Sequence, residues 1–256
     1  MDVKISVIIP TFNRKDIISN SINSILEQNI NGIEIIVVDD KSTDGTIEYL
    51  KNKYNNQLKY LYLNENGGQN IARNRGADIA TGEWLLFLDS DDTLTAGSLN
   101  HLIGLTEVVK CDIIFSACIN SQGLVTSNNP NFEGYLTYQE YICEKIIGEY
   151  LPMSKRETFL KCYFDESTRR APGIGHARVA KLGNGVYITN FIARNYDTEI
   201  LDSITNSKKR NYKVMSQVWK IILKEQGINK LKSCPINFCK CLLKYFYYTF
   251  FSLVKN

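Results

Sequence analysis

Two carboxylates stand two residues apart in the run Asp89-Ser90-Asp91-Asp92, directly after the apolar segment 83–88. In an extended chain residues i and i+2 point to the same face, so Asp89 and Asp91 can point at one divalent cation. Mg²⁺ and Mn²⁺ prefer oxygen ligands and often keep phosphate oxygens in their coordination shell. The run therefore predicts a site for Mn²⁺ or Mg²⁺ with a diphosphate. Its alternative role is a helix cap formed by Asp92 or Thr93.

A second acidic pair, Asp39-Asp40, closes the apolar run 33–38. Carboxylates at such a position can accept hydrogen bonds from a ribose hydroxyl or a pyrimidine imide, and the alternative is a turn with a helix cap. In the turn Asn66-Gly67-Gly68, two glycines let the backbone approach a ligand closely. Arg73 follows one helical turn later and can contact a pyrophosphate or an acidic side chain. A surface salt bridge is its alternative role.

Alternating strands and helices must position these residues. Short apolar, β-branched runs predict strands at 4–9, 33–38, 59–63, 83–88 and 111–118. Helix-spaced apolar residues and capping side chains predict helices at 17–26, 46–50 and 69–80. This alternation predicts an α/β fold with a Rossmann-like, mostly parallel sheet flanked by helices. Right-handed crossovers then bring the carboxyl ends of the strands to one edge, where ligands bind in such sheets. The polar residues expected at that edge are Thr11, Asn13, Asp39, Asp40, Asp89 and Asp91.

The pattern beyond residue 120 is less regular. A loop or irregular hairpin is expected at 122–135, and strands at 186–188 and 191–195. Helices are expected at 137–147, 155–163, 173–182, 214–224 and 235–254. The last two form a basic helical C-terminal extension.

Composition restricts the class of protein. The chain has 256 residues, 44% of them hydrophobic, which is enough for a substantial core. It has no long uncharged apolar stretch typical of a membrane span and no signal-like N-terminus, which argues against secretion. Its seven scattered cysteines argue against a disulfide framework and favour a reducing cytoplasm. Cys234, Cys239 and Cys241 lack the further ligands of a zinc site.

The net charge of +3 hides an asymmetry. From Thr205 to Asn256 there are ten Lys and one Arg against one Glu, so this tail is strongly basic and the preceding body is acidic. The segment 242–254 is rich in aromatic residues and is flanked by Lys240, Lys244 and Lys255. We expect an interfacial helix on an anionic membrane surface. The alternative is packing on the body or on a homodimer partner, and no nucleic-acid motif accompanies the charge.

Five ordered motifs carry a family resemblance. They are Ser-Val-Ile-Ile-Pro-Thr-Phe-Asn at 6–13, Val-Val-Asp-Asp-Lys-Ser-Thr-Asp-Gly-Thr at 37–46, Asn-Gly-Gly at 66–68, Ala-Arg-Asn-Arg-Gly at 72–76 and Gly-Glu-Trp-Leu-Leu-Phe-Leu-Asp-Ser-Asp-Asp at 82–92. Together they closely resemble glycosyltransferase family 2, which has the A-type glycosyltransferase fold, over residues 3–120.

The resemblance implies roles for single residues. Asp91 would bind the metal together with Asp89, and Asp89 would also face the ribose. Asp40, together with Asp39, would bind the nucleobase of the donor. The nucleotide-sugar set implied in full is Pro10, Thr11, Asn13, Asp39, Asp40, Gly67, Arg73, Asp89 and Ser90.

The sequence departs from the family where a general base is expected. By alignment that acidic residue falls near Pro172 or Gly173, neither of which can accept a proton. His176, Glu166 and Asp165 are the nearest candidates. A later metal-binding His is also missing, and Asp197 can stand in its place.

The resemblance implies an inverting glycosyltransferase, and the acidic motifs agree with a metal and a nucleotide. The enzyme would move a sugar from a nucleotide-diphosphate donor, a UDP-sugar, to a lipid-linked saccharide in surface-glycan synthesis at the cytoplasmic face of the membrane. Residues 1–204 would form the catalytic domain, with donor binding in 1–120 and acceptor binding in 121–204, and 205–256 the extension. Pro172 leaves open a non-catalytic nucleotide-sugar-binding or scaffold protein. A nucleotidyltransferase is a third reading, but no glycine-rich, basic triphosphate loop follows the first strand.

Overall fold

The computed structural model of the protein describes residues 2–169, 171–196 and 211–254. The strands in these ranges are β1 Ile5–Thr11, β2 Ile33–Asp39, β3 Lys59–Tyr62, β4 Trp84–Phe87, β5 Thr93–Leu94, β6 Ile113–Asn120, β7 Gly134–Leu136, β8 Tyr150–Lys155 and β9 Val186–Tyr196. The helices are α1 Ile18–Leu26, α2 Thr46–Tyr54, α3 Gln69–Ile79, α4 Ser98–Val108, α5 Tyr138–Ile142, α6 Arg156–Phe159, α7 Gly173–Leu182, α8 Tyr212–Ser233 and α9 Pro235–Val254.

One sheet joins all the described strands in the order β3-β2-β1-β4-β8-β6-β9-β5, with β7 paired to β9. The first four strands are parallel. Strand β8 lies antiparallel between β4 and β6, so β6 and β9 run in the same direction as β4. The predicted parallel half is therefore confirmed, and an antiparallel strand joins it to the second half.

The buried strand β1 explains the helices on both faces of the sheet. All of its residues are buried. Val7 and Ile9 face one apolar cluster, which includes residues of α1 and α4, while Ile8 faces a second cluster with residues of α3 and α7. Because successive strand residues point to opposite faces, a strand covered on both sides needs a continuous apolar run.

Several element predictions beyond residue 120 were wrong in extent. The helix expected at 137–147 ends at Ile142, and the one expected at 155–163 covers only Arg156–Phe159. The two strands expected at 186–188 and 191–195 are one strand, β9, which is irregular where it pairs with β6. Strand β8 was not predicted at all. Its central Pro152 has no backbone N–H, which is unusual in a strand that is paired on both sides.

The C-terminal helices α8 and α9 form the expected helical extension, and their connection is fixed to the end of α5. Cys143 and Cys234 form a disulfide bond, so the expectation drawn from the odd cysteine count misses this one bond. Lys230 Nζ donates to the Ile142 carbonyl, and Asn237 Nδ2 donates to the Cys143 carbonyl at 2.6 Å. None of the described helices is long and apolar enough to cross a membrane.

Candidate active site

The polar ends of β1, β2 and β4 meet at one edge of the sheet. Thr11 lies beside Asp39 in the parallel register, and the amide of Leu88 donates to the Ile8 carbonyl, which places Asp89 next to the end of β1. These ends open into a cavity of about 600 Å³, here called the acidic cavity. Its lining includes Pro10, Thr11, Arg14, Asp40, Gly68, Arg73, Asp89, Ser90, Asp91, Glu149, Pro172 and Arg194.

Three carboxylates are clustered at the end of β4. Oxygens of Asp89, Asp91 and Asp92 lie within 4.8 Å of one another. Ser21 Oγ fixes the turn that carries them, because it lies 2.6 Å from the carbonyl oxygen of Asp92 and 2.9 Å from that of Ser90. Carboxylate oxygens at this separation are ligands that suit Mg²⁺ or Mn²⁺. The donor set therefore fits the divalent cation expected from the sequence.

Arginines surround this acidic cluster. Arg73, which is buried, hydrogen-bonds Asp89 Oδ1 through Nη2, and Arg14 Nη2 lies 3.8 Å from Asp91 Oδ2. Burial alone would raise the pKa of Asp89, but the charges of Arg73 and Arg194 outweigh it and hold that pKa below its ordinary value. The site thus combines negative charge with cations that could face a diphosphate.

Arg194 is a site residue that the sequence did not predict. It is 4% exposed, and its Nη1 lies 2.9 Å from Asp92 Oδ2. Burial alone would lower the pKa of Arg194, but Cys118, Asp92 and Asp89 raise it above its ordinary value. The signal in the sequence is a single charged residue in an otherwise uncharged strand, and a buried cation of this kind is normally paired.

Asp40 anchors the glycine turn. Its carboxylate, directly after the end of β2, accepts the amides of Gly67 and Gly68, each at 2.7 Å, and thereby fixes the turn that leads into α3. Gly68 has φ +94°, and a Cβ there would lie 3.0–3.2 Å from atoms of Arg169. The turn therefore needs glycine at position 68 and a fixed acceptor at position 40.

Three of the residues predicted to bind the nucleotide-sugar do not line the acidic cavity. Asp39 accepts the amide and hydroxyl of Ser42 on Oδ1, lines a separate cavity of about 330 Å³, and has a pKa that burial raises. Asn13 Oδ1 accepts the amide of Thr43, and Gly67 donates to Asp40. The structure therefore brings together Pro10, Thr11, Asp40, Arg73, Asp89, Ser90 and Asp91 from the predicted set.

A second, more apolar cavity of about 500 Å³ adjoins the acidic one. Its lining includes Phe115, Tyr141, Tyr150, Ile174 and, from α8, Val218, Trp219, Ile222, Gln226 and Lys230. The two cavities share part of their wall, which consists of Arg73, Asp89, Glu149, Ala171, Pro172 and Arg194.

The three base candidates from the sequence occupy different surroundings. His176 lines the second cavity between the rings of Phe115 and Phe164, and burial, together with the charge of Arg73, lowers its pKa to about 3. Asp165 and Glu166 line neither of the two cavities. Asp165 pairs with an arginine of α7 at 3.0 Å, and Glu166 with an arginine of α3 at 3.0 Å. Asp197, the additional metal candidate, lies outside the described residues.

Comparison with known proteins defines the class. The family Glycosyl transferase family 2 matches residues 6–160, and the chain belongs to this family. It is 32% identical over 171 residues to a Campylobacter jejuni protein named GalNAc(5)-diNAcBac-PP-undecaprenol beta-1,3-glucosyltransferase, with 64% of this chain and 55% of that protein covered. It is 27% identical over 246 residues to Bacillus subtilis TuaG, a putative teichuronic acid biosynthesis glycosyltransferase, with 94% and 96% covered.

A solved structure confirms the fold. The crystal structure of S. aureus TarS in complex with UDP-GlcNAc has a TM-score of 0.73 and 22% identity, and the match covers 97% of this chain and 73% of that one. The A-type glycosyltransferase fold expected from the sequence is therefore present. The match to the Campylobacter protein spans about half of that protein's length.

Proposed function

We propose that the protein transfers a sugar from a nucleotide-diphosphate donor, a UDP-sugar, to a hydroxyl of a saccharide acceptor in surface-glycan synthesis. The observation that carries this proposal is the carboxylate cluster at the carboxyl ends of parallel strands: Asp89 and Asp91 line the acidic cavity with buried arginines, and the third carboxylate, Asp92, is buried beside them. The names of the Campylobacter and Bacillus relatives, and the UDP-GlcNAc complex of TarS, support the same class of reaction.

In this proposal the nucleotide lies along the strand ends. Thr11 is buried, and no described residue bonds its Oγ1, so the hydroxyl is available to a ligand. Arg73 has two guanidinium nitrogens, Nε and Nη1, that are buried without a described partner beside Asp89. Asp89, Asp91 and Asp92 would hold Mn²⁺ or Mg²⁺, which neutralises the charge that develops on a departing diphosphate.

The second cavity would receive the acceptor. Because the two cavities share lining residues, an acceptor in the second cavity would place its hydroxyl beside the anomeric carbon of a donor in the acidic cavity. The hydroxyl oxygen forms the new bond to that carbon while the bond to the diphosphate oxygen breaks. The nucleoside diphosphate leaves with the electron pair, and the proton of the hydroxyl passes to a base. Direct displacement of this kind inverts the anomeric configuration.

A panel of nucleotide-sugars with Mn²⁺ and lipid-linked or free saccharide acceptors tests the proposal, with nucleotide release and product mass as readouts. We expect acceptor-dependent release with at least one UDP-sugar, and a fall of about 100-fold or more in Asp91→Ala. Asp16→Ala removes an exposed carboxylate from the same half of the chain and serves as the control. Near-normal transfer by Asp91→Ala would contradict the assignment of the site.

A catalytically inactive nucleotide-sugar-binding protein is the second candidate. Pro172, in the shared wall, favours it, because proline stands where the family resemblance expects a base. Purified protein that binds UDP with Mn²⁺, yet neither hydrolyses nor transfers any donor sugar in the panel, would favour this function over the first.

We also propose that α9 binds an anionic membrane surface, which would bring the site to a lipid-linked acceptor at the cytoplasmic face. Helically spaced apolar residues form an exposed stripe along α9, each 60–76% exposed. This α9 stripe consists of Ile236, Leu243, Phe246, Phe250 and Leu253. Lys240 and Lys244 lie on the same helix, and the segment after residue 204 is basic, so its charge complements an anionic leaflet.

Co-sedimentation with vesicles tests the α9 stripe. We expect binding to vesicles that contain phosphatidylglycerol, weaker binding at high salt, and no binding to pure phosphatidylcholine. The double variant Phe246→Ser/Phe250→Ser should lose binding, whereas Val108→Ser, at an exposed apolar residue of α4, should keep it. If the stripe instead mediates a homodimer, light scattering will detect dimers without vesicles and monomers of the double variant, which would overturn the membrane proposal.

A further inference from the structure

The wall between the two cavities contains the position where a general base is expected. Pro172 belongs to this wall, and its side chain has no group that accepts a proton. His176 lies behind the wall with a pKa lowered to about 3 by burial. A base with so low a pKa removes a hydroxyl proton poorly near neutral pH. If the enzyme is active, another group at the same place must take the proton.

Glu149 belongs to the same wall but comes from a different part of the chain, since it directly precedes β8. The other carboxylates of the acidic cavity are already engaged. Asp40 accepts two backbone amides, Asp89 bonds Arg73, and Asp91 belongs to the clustered carboxylates near Arg14. By contrast, no described residue donates a hydrogen bond to the Glu149 carboxylate, and its side chain is 63% exposed.

The backbone around Glu149 is firmly held although its carboxylate is not bonded. Its carbonyl accepts Thr126 Oγ1 at 2.7 Å, and the Tyr150 hydroxyl lies 2.6 Å from Ser127 Oγ. A Cβ at Gly148 would lie 2.7 Å from the Thr126 carbonyl oxygen, so the two segments are in close contact. These contacts fix the backbone of Glu149 and leave its carboxylate available to a ligand.

Among the described residues, the cation that pairs with the Glu149 carboxylate also contacts the proposed metal cluster. Arg194 Nη2 lies 4.0 Å from Glu149 Oε2, while Nη1 of the same guanidinium pairs with Asp92 at 2.9 Å. A single arginine side chain therefore connects Glu149 to a proposed metal ligand. This places Glu149 in the region where the acceptor hydroxyl would meet the donor.

We propose that Glu149 is the general base of this enzyme and replaces in space the acidic residue that the chain lacks at position 172. This inference rests on the proposed function. The Glu149 carboxylate takes the proton of the acceptor hydroxyl as its oxygen bonds to the anomeric carbon, and the nucleoside diphosphate leaves with the electrons of the broken bond. The proton then passes from Glu149 to solvent, which restores the carboxylate.

The test compares Glu149→Gln with the wild type on the donor and acceptor pair that the wild type uses. Loss of a general base lowers turnover by about 10²–10⁴-fold, so we expect kcat to fall by at least 100-fold while the affinity for UDP with Mn²⁺ and the Tm stay unchanged. Glu149→Asp should recover part of the turnover.

Glu157→Gln is the matched control, since this exposed glutamate follows the other end of β8 and should transfer normally. The inference is overturned if Glu149→Gln transfers within threefold of the wild type. A parallel loss of UDP affinity would also overturn it, because Glu149 would then only position Arg194. A wild type that transfers no sugar in the full panel refutes the proposed function itself, a result separate from either of these.

Discussion

The acidic cavity has two walls that are built in different ways. The strand-end wall comes from the ends of β1, β2 and β4 together with the turn before α3. In this wall Asp40 accepts two backbone amides, and Arg73 donates to Asp89. The far wall comes from the residue before β8, the start of α7 and the end of β9. There a buried arginine and a largely exposed glutamate lie around a proline.

The contrast shows how the two walls divide their tasks. In the strand-end wall, Asp40 and Arg73 are each fixed by a partner in the first half of the chain, so the wall is preformed for a nucleotide and a cation. In the far wall, Arg194 pairs with Asp92 and so connects the second half of the chain to the first. Variants that separate stability from ligand binding can test this division.

The largest effect is expected from Arg194→Ala. Removing a guanidinium that is 4% exposed leaves the buried Asp92 carboxylate without its partner in the far wall, which should lower the free energy of unfolding by about 3–5 kcal/mol. Urea unfolding at pH 7 measures this. Arg75→Ala is the control, because its pair with Glu166 is exposed and should contribute less than about 1 kcal/mol. Equal losses in the two variants would mean that Arg194 does not join the halves.

Asp40→Ala should come next. Two amides lose a charged acceptor, so we expect a loss of about 2–3 kcal/mol in the free energy of unfolding. Hydrogen exchange should also accelerate at Gly67 and Gly68 and leave β1 unaffected. Unchanged exchange at both glycines would show that the turn before α3 does not depend on this carboxylate.

A smaller, pH-dependent effect is expected at His176, behind the far wall. Because its folded pKa is lowered to about 3 from an ordinary 6.5, the unfolded chain binds the proton and the folded chain does not. The stability that depends on neutral His176 is therefore present above pH 6.5 and decreases as the pH falls below it. At pH 5.5 this loss is about 1.4 kcal/mol.

His176→Phe removes that pH dependence. When the pH is lowered from 7.5 to 5.5, the wild type should lose about 1.4 kcal/mol more of its unfolding free energy than the variant does. Chemical denaturation at the two pH values measures it. A constant difference would indicate that folding does not lower the pKa of His176.

The smallest effect on stability is expected from Thr11→Val in the strand-end wall. No described residue bonds Thr11 Oγ1, so the free energy of unfolding should change by less than about 0.5 kcal/mol. The affinity for UDP should nevertheless fall roughly fivefold, the value of one hydrogen bond. Calorimetric titration of UDP tests it, and an unchanged affinity would remove Thr11 from the nucleotide site.

The two walls also differ in how far the sequence could predict them. Buried parallel strands appear as continuous apolar runs, so the ends of β1, β2 and β4, and with them Thr11 and Asp89, could be located before the structure was known. The partners that hold Asp40 could not, since a carboxylate before a turn fits either a ligand or a cap.

The far wall was beyond prediction for a topological reason. Arg194 meets Asp92 because the two-residue strand β5 pairs antiparallel with β9, in a register that sets Leu94 beside Arg194. No local pattern encodes such a pairing. Glu149 precedes β8, which Pro152 conceals from pattern analysis.

The attachment of the α8–α9 connection to the end of α5 has a consequence for shortening the chain. Residues of α8 line the second cavity, and the hairpin supplies the sulfur partner of Cys143 and the donors to the carbonyls of Ile142 and Cys143. A version ending at residue 204 would lose one side of that cavity and leave a free thiol and two vacant carbonyls on the body. We therefore expect the truncated body to be less soluble than the whole chain, so the C-terminal helices should be kept in any version made for study.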